Sequence, residues 1–368
     1  MARAAGAQDL PRGVVIDDVT CAGDASQSYA LYLPSTYSPS RRWSVLVGFH
    51  PGARGRAIVD TYRAAAEQYG YIVVGSNNSR NGPWEISAAA IKAIFPDVDA
   101  RFPIDSQRIY LTGHSGGARV AMQVALANKA IAGVIASSAG FPDSQPRSKV
   151  GFAVFGTAGI DDFNYIELRM LDRKLTSPHR LAIFSGGHTL PPADVALEAI
   201  EWMELQAMKS GRRPRDEAFV DTLLGKRRAA IDATTGTSTV HLLEAVVDDF
   251  KGLRDVSAEE RRAKDLAQDG NIRKALARER AFDDEESRML GELAALEAGL
   301  ADGERRAQAM LSLRDRLAQL SEKATAAEES PERSRARRVL RALSSGVSAR
   351  TSDREYLALI EKFGMRGR

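Results

Sequence analysis

Cysteine, histidine and tryptophan are all scarce in this chain: one, five and three among 368 residues. Each scarcity excludes something. Cys21 has no partner for an intramolecular disulfide, and a single thiol cannot build a cysteine-based zinc site. It is expected to be a small packed apolar side chain. The longest apolar runs, such as Ile131 to Ala136, fall far short of the roughly 20 residues a membrane helix needs. Met1 to Leu10 lacks the apolar core of a signal peptide, so the expected location is a soluble one. That means cytoplasmic as the chain stands, and secreted or periplasmic if a leader was removed. A net charge of +3 gives no strong field toward nucleic acid or an anionic membrane, and neither is expected as a partner. No two histidines have the His-x-x-x-His spacing of a metal site, so neither metal nor cofactor is expected.

What is present divides the chain in two. Residues 1–210 hold 20 basic and 19 acidic side chains, whereas the shorter 211–368 holds 31 and 29. The second part has no Trp and only Pro214 and Pro331 of the 14 prolines. Leucines recur in it at helical spacing, at 290, 293, 296 and 300 and again at 311, 313, 317 and 320. It reads as a charged all-α domain, 211–368. Lys209 to Pro214 is the expected linker, because Gly211 permits a helix to end and Pro214 discourages its continuation.

In residues 1–210, short β-branched runs alternate with longer helical ones. Trp43 to Phe49 precedes Ala57 to Tyr69, Tyr71 to Gly75 precedes Ile86 to Phe102, and Arg108 to Leu111 precedes Gly116 to Ala127. Further strands are expected at Ile131 to Ala136, Val150 to Phe155 and His179 to Phe184, with helices at Phe163 to Leu175 and Ala193 to Met208. Val14 to Val19 and Ser28 to Leu33 have no helix between them and suit an antiparallel hairpin at a sheet edge. About eight strands, mostly parallel and covered by helices on both faces, are predicted.

The sharpest motif is Gly113-His114-Ser115-Gly116-Gly117, reached directly from a strand and followed by a helix. A Gly-x-Ser-x-Gly turn in that setting is a nucleophile elbow: the turn strains the serine backbone, lifts its hydroxyl and needs glycine at 113 and 117 to avoid neighbouring backbone. The Gly116 amide, at the helix N-terminus, is placed to donate to an oxyanion. Serine needs a base, and the base needs an acid to orient it. Both stand downstream in the order this arrangement uses. The loop Gly156 to Tyr165 carries Asp161 and Asp162 after one strand. Ser185-Gly186-Gly187-His188 follows another. Asp162 is favoured as the acid, with Asp161 as the alternative, and the remaining carboxylate as a helix cap. Pro51 has no N–H, so in the loop His50 to Gly55 the second oxyanion donor should be Gly52 or Ala53.

Among the other histidines, His114 is expected to be a packed or hydrogen-bonded ring beside the nucleophile, in reach of substrate, and His50 to shape the oxyanion loop. His179 and His241 read as structural or solvated. The loop Ser76 to Trp84 should open onto the same face of the sheet, which makes Arg80 and Trp84 candidate substrate contacts.

Residues 25–208 resemble bacterial esterases of the α/β-hydrolase superfamily, near the polyhydroxybutyrate depolymerase, feruloyl esterase and dienelactone hydrolase-like groups. The likeness rests on Gly113 to Gly117, on Asp161-Asp162-Phe163-Asn164-Tyr165, and on Gly186-Gly187-His188 followed by Pro191-Pro192 and a helix with Trp202. It implies an α/β-hydrolase fold and a serine carboxylic-ester hydrolase acting on a small-molecule ester, with small or aryl esters expected. A serine peptidase would use the same triad. A non-catalytic scaffold that binds a partner is the alternative of another kind. The C-terminal helices match no nameable motif and read as a solvated helical domain packed on the hydrolase, with a lid, or a surface for a protein partner or a second copy, as the alternative.

Overall fold

The computed structural model describes residues 10–143, 145 and 147–364. Segment 1–9, on which most of the signal-peptide reading rests, lies outside the described residues. Eight strands form one sheet: β1 (Val15–Cys21), β2 (Asp24–Tyr32), β3 (Trp43–Phe49), β4 (Tyr71–Ser76), β5 (Ile104–His114), β6 (Ile131–Ser137), β7 (Ala153–Gly159) and β8 (His179–Phe184). Their spatial order is β1-β2-β4-β3-β5-β6-β7-β8. β1 and β2 form the expected antiparallel edge hairpin, β2 is antiparallel to β4, and the pairings from β4 to β8 are parallel.

Five helices cover the sheet: α1 (Gly55–Tyr69), α2 (Trp84–Arg101), α3 (Gly116–Ala127), α4 (Tyr165–Lys174) and α5 (Ala193–Lys209). Alternate residues of a strand face opposite sides, and the core divides accordingly. On β3, Val45, Val47 and Phe49 pack with Ile94 of α2 and Met122 of α3, while Leu46 packs with Tyr62 of α1 and Met203 of α5. Buried apolar side chains on both faces account for the near-continuous apolar strands of the sequence. One strand is displaced from its expected place: β7 runs Ala153–Gly159 rather than Val150 to Phe155. Gly156 and Gly159 dilute the strand signal, yet the backbone there pairs with β6 and β8.

Beyond α5 lie α6 (Glu217–Asp232), α7 (Thr237–Phe250), α8 (Ser257–Gln268), α9 (Gly270–Gly299), α10 (Arg306–Ala324), α11 (Pro331–Ser344), α12 (Val347–Arg350) and α13 (Arg354–Phe363). The stretch expected to be a linker is a tight turn. Gly211 is left-handed at φ 72°, and the Arg212 N–H donates to Ala207 O at 2.8 Å. Apolar packing crosses this turn: Leu205 and Met208 of α5 share a cluster with Val220, Leu223, Val246 and Phe250. A separate cluster joins Leu293, Leu313, Leu317, Leu340 and Ile360 in the last five helices. Leu311, two residues before Leu313, falls off that stripe and is exposed.

Candidate active site

The C-terminal ends of β3, β5, β6, β7 and β8 bring the chemistry-bearing residues to one edge. β5 ends at His114, α3 begins at Gly116, and Ser115 between them sits at φ 52°, ψ −121°. For a non-glycine residue this is a strained backbone, over-determined here by its surroundings. The Ser115 N–H donates to Ser137 O of the adjacent strand at 2.8 Å. A side chain at 113 would strike the carbonyl of Gly117, and one at 117 would strike the carbonyl of Phe49 on β3. Both glycines of the motif are therefore needed by close backbone approach. Ala53 (φ 54°) and Ser138 (φ 61°), the other non-glycine residues at positive φ among the described ones, follow β3 and β6 at the same edge.

The two downstream loops meet. His188 Nδ1 donates to Asp162 Oδ1 at 2.8 Å. Asp162 is fully buried, and its Oδ1 also accepts from the Asn164 N–H at 2.8 Å. With the Nδ1 proton committed to Asp162, the other ring nitrogen keeps a lone pair. Phe163 stacks on the imidazole with centroids 3.9 Å apart and planes 23° apart, which fixes the ring's orientation. On another side the His114 ring lies 4.8 Å away, so the residue next to Ser115 is in contact range of His188. Among the described residues the Ser115 hydroxyl accepts or donates no hydrogen bond. Asp161 turns away, toward α11: its Oδ2 lies 3.7 Å from Arg337 and 3.8 Å from Arg341.

The loop His50 to Gly55, expected to supply a second oxyanion donor, is occupied in part by its own histidine. Gly52 N–H donates to His50 Nδ1 at 3.0 Å and Ala53 N–H to His50 O at 3.1 Å, so both expected donors are already engaged. Sequence alone locates the loop but not the direction of its amides, which His50 decides. The Gly116 N–H, in the first turn of α3, takes no partner among the described residues. Against it lies Asn81, since a side chain at 116 would run into that carboxamide. The Asn81 backbone is tied in turn to the oxyanion loop, its N–H donating to Pro51 O at 2.9 Å.

Burial pushes the His114 imidazole down to about 3, with His188, His50 and Arg54 adding repulsion. Burial likewise pushes His50 down to about 4, helped by Arg54, whose Nη2 is 2.9 Å from His50 Nε2. Both rings are neutral near pH 7 and poor proton donors. His114 Nδ1 is buried with no partner. Arg80 pairs by its backbone with Gly52, and Arg80 and Trp84 are both exposed beside this edge. His179 Nδ1 lies 2.8 Å from Ser177 O, and His241 contacts Glu279 on α9, both away from the edge. Among the described residues no cluster of His, Cys, Asp or Glu could hold a metal ion, and no helix is long and apolar enough to cross a membrane. Asn81 and Phe163 escaped the sequence reading as site residues although both stand inside motifs it singled out. Distance along a loop does not reveal which side chain lies flat on a neighbour.

Strand order, the strained Ser115 between β5 and α3, and the loops after β7 and β8 that carry Asp162 and His188 define the class: an α/β-hydrolase fold. No family model and no curated protein matches the chain. Solved structures similar to it include the feruloyl esterase module from Clostridium thermocellum complexed with sinapinate, at 14% identity and TM-score 0.40 over 48% of this chain and 82% of that one. Thermogutta terrifontis esterase 2 with butyrate bound is 16% identical at TM-score 0.39, covering 52% and 92%. The esterase from Pyrobaculum calidifontis is 14% identical at TM-score 0.38, covering 55% and 87%.

Proposed function

We propose that this protein is a serine carboxylic-ester hydrolase. The observation that carries the reading is the coincidence, at one sheet edge, of a strained Ser115 at a helix N-terminus with a His188 imidazole held by buried Asp162 at 2.8 Å. Ser115 attacks the ester carbonyl while His188 takes its proton, and Asp162 stabilises the imidazolium. The tetrahedral oxyanion is held by the Gly116 N–H and by Asn81 Nδ2 once that carboxamide, whose Oδ1 lies nearest Gly116, turns its amide group toward the site, since Gly52 and Ala53 are engaged by His50. Collapse expels the alcohol, which receives the proton from His188. Water, deprotonated by the same imidazole, then attacks the acyl-serine and releases the acid. Arg80 and Trp84, both exposed, offer a polar and an aromatic surface to the substrate, and His114 lies beside His188, which suits small or aryl esters.

The test is hydrolysis of a p-nitrophenyl acyl ester series, with methyl ferulate and aminoacyl anilides alongside, by the wild type, Ser115→Ala and Asn81→Ala. Ser115→Ala is expected to lower kcat by roughly 10⁶-fold, and Asn81→Ala by roughly 10²-fold. Equal turnover by wild type and Ser115→Ala would sink the catalytic reading, and anilides cleaved faster than esters would make it a peptidase.

A further inference from the structure

We infer that α11 is a positioning element for the acid loop, with Arg338 and Arg341 setting where Asp162 meets His188; this rests on the triad proposed above. The backbone of 160–162 is held from two sides. Toward the histidine loop, the Ile160 N–H donates to Phe184 O at 2.9 Å and the Asp161 N–H to Gly186 O at 2.9 Å. Toward the C-terminal helices, Ile160 O accepts from Arg338 Nη1 at 2.7 Å and Asp161 O accepts from Arg341 Nη1 at 2.9 Å. The two carbonyls immediately before Asp162 are thus fixed by a helix that begins some 170 residues later in the chain.

Arg338 is itself aimed. Its Nε donates to Glu286 Oε1 at 2.8 Å, its Nη2 pairs with the other oxygen, and both side chains are almost fully buried. Its guanidinium also lies 4.2 Å from the Tyr165 ring, at the start of α4. A buried ion pair is an expensive way to attach a domain, since desolvation offsets most of its attraction. Simple docking is already supplied elsewhere, by Arg169 to Asp283 at 3.0 Å and Arg173 to Asp284 at 2.8 Å. The α11 arginines end instead on the main chain of the one loop that carries the acid. A charge-assisted hydrogen bond to a carbonyl fixes distance and direction together, and misplacing a catalytic group by about 1 Å can cost roughly 10²-fold in rate.

The experiment uses the full chain with ¹⁵N-labelled histidine. It compares wild type with Arg341→Ala, Arg341→Lys and Arg338→Lys; His188→Asn assigns the resonance, and thermal melts verify folding. Arg338→Lys keeps a cation beside Glu286, so it does not strand a buried carboxylate. Two quantities are read: the His188 Nδ1–H resonance by NMR, and kcat and KM for p-nitrophenyl acetate. Arg341→Ala is expected to lower kcat about 10-fold with KM within about twofold. It should also broaden the His188 Nδ1–H resonance or move it upfield as the Asp162 bond loosens. Arg341→Lys should restore part of both effects, and Arg338→Lys should reproduce them. Folded variants with that resonance unchanged and kcat within twofold would overturn the inference and leave α11 a docking helix. If the resonance changes as expected while Ser115→Ala hydrolyses as fast as wild type, the positioning role stands and the esterase reading falls.

Discussion

The sheet region and the last five helices are each built on an apolar core, yet they are joined to their neighbours differently. In the sheet region apolar side chains fill both faces of the strands, and His50 and His114 near Ser115 are both neutral. α6 to α8 join this region through an apolar cluster with α5, supplemented by ion pairs such as Arg180–Asp249 and Arg227–Glu198. The cluster of α9 to α13 is closed on itself, and the contacts named between these helices and α4 or the acid loop are ionic or charge-assisted. An apolar seam tolerates sliding, because dispersion and the hydrophobic effect have little direction. A guanidinium bonded to a chosen carbonyl does not. The contrast teaches that charge density in 211–368 is not only solvated surface: part of it sets a register.

The largest expected effect divides two adjacent residues by which region each faces. Asp162→Asn should lower kcat by roughly 10⁴-fold through loss of the imidazole's orientation and charge partner, while Asp161→Asn should cost about an order of magnitude or less. Steady-state ester hydrolysis decides it, and equal losses in both variants would blur the division. Next, Glu286→Ala strands the buried Arg338 guanidinium and is expected to destabilise the folded chain by about 3–5 kcal/mol. A loss under about 1 kcal/mol in chemical denaturation would show that the ionic seam is not specific.

Acid should act through the sheet region. His114 and His50 titrate at about 3 and about 4 in the folded chain against 6.5 for an ordinary histidine. Between those values the unfolded chain binds protons that the folded one refuses, so their stabilising contribution is full above pH 6.5 and is lost as pH falls toward 4 and 3. Melts from pH 7 to pH 4 should show a decline of the order of a few kcal/mol for His114, at roughly 1.4 kcal/mol per pH unit. The decline should flatten in His114→Asn; an equally steep decline there would remove the histidine edge as its cause. The smallest effect is expected at the partly exposed pair Arg173–Asp284. Arg173→Ala should cost about 1 kcal/mol or less, and a larger loss would mean that docking and positioning are not separate tasks.

Much of the sheet region was legible because its signals are local and periodic. Strand and helix alternation located all eight strands, though β5 extends beyond Arg108 to Leu111 at both ends and β7 is displaced where its glycines weaken the pattern. Gly113, Ser115 and Gly117 could be singled out because a strand–turn–helix junction demands particular residue types, and His188 because a glycine turn presents it downstream in the order Ser, Asp, His. The oxyanion loop was legible as a position, but its amides turned out to serve His50. Asp162 was favoured over Asp161 along the chain, but adjacent loop residues point apart and only the packed neighbours decide where each goes.

The sequence by itself determined the order of elements, the elbow, and a helical second part rich in paired charges, because these depend on backbone sterics and on periodicity within a few residues. Tertiary structure alone decided that Asp162 faces His188 while Asp161 faces Arg337 and Arg341, that Asn81 lies on Gly116, and that α11 reaches back to the acid loop. Those are contacts between residues up to about 180 apart in the chain, whose partners are chosen by distance and desolvation in the folded chain, and no local pattern encodes them.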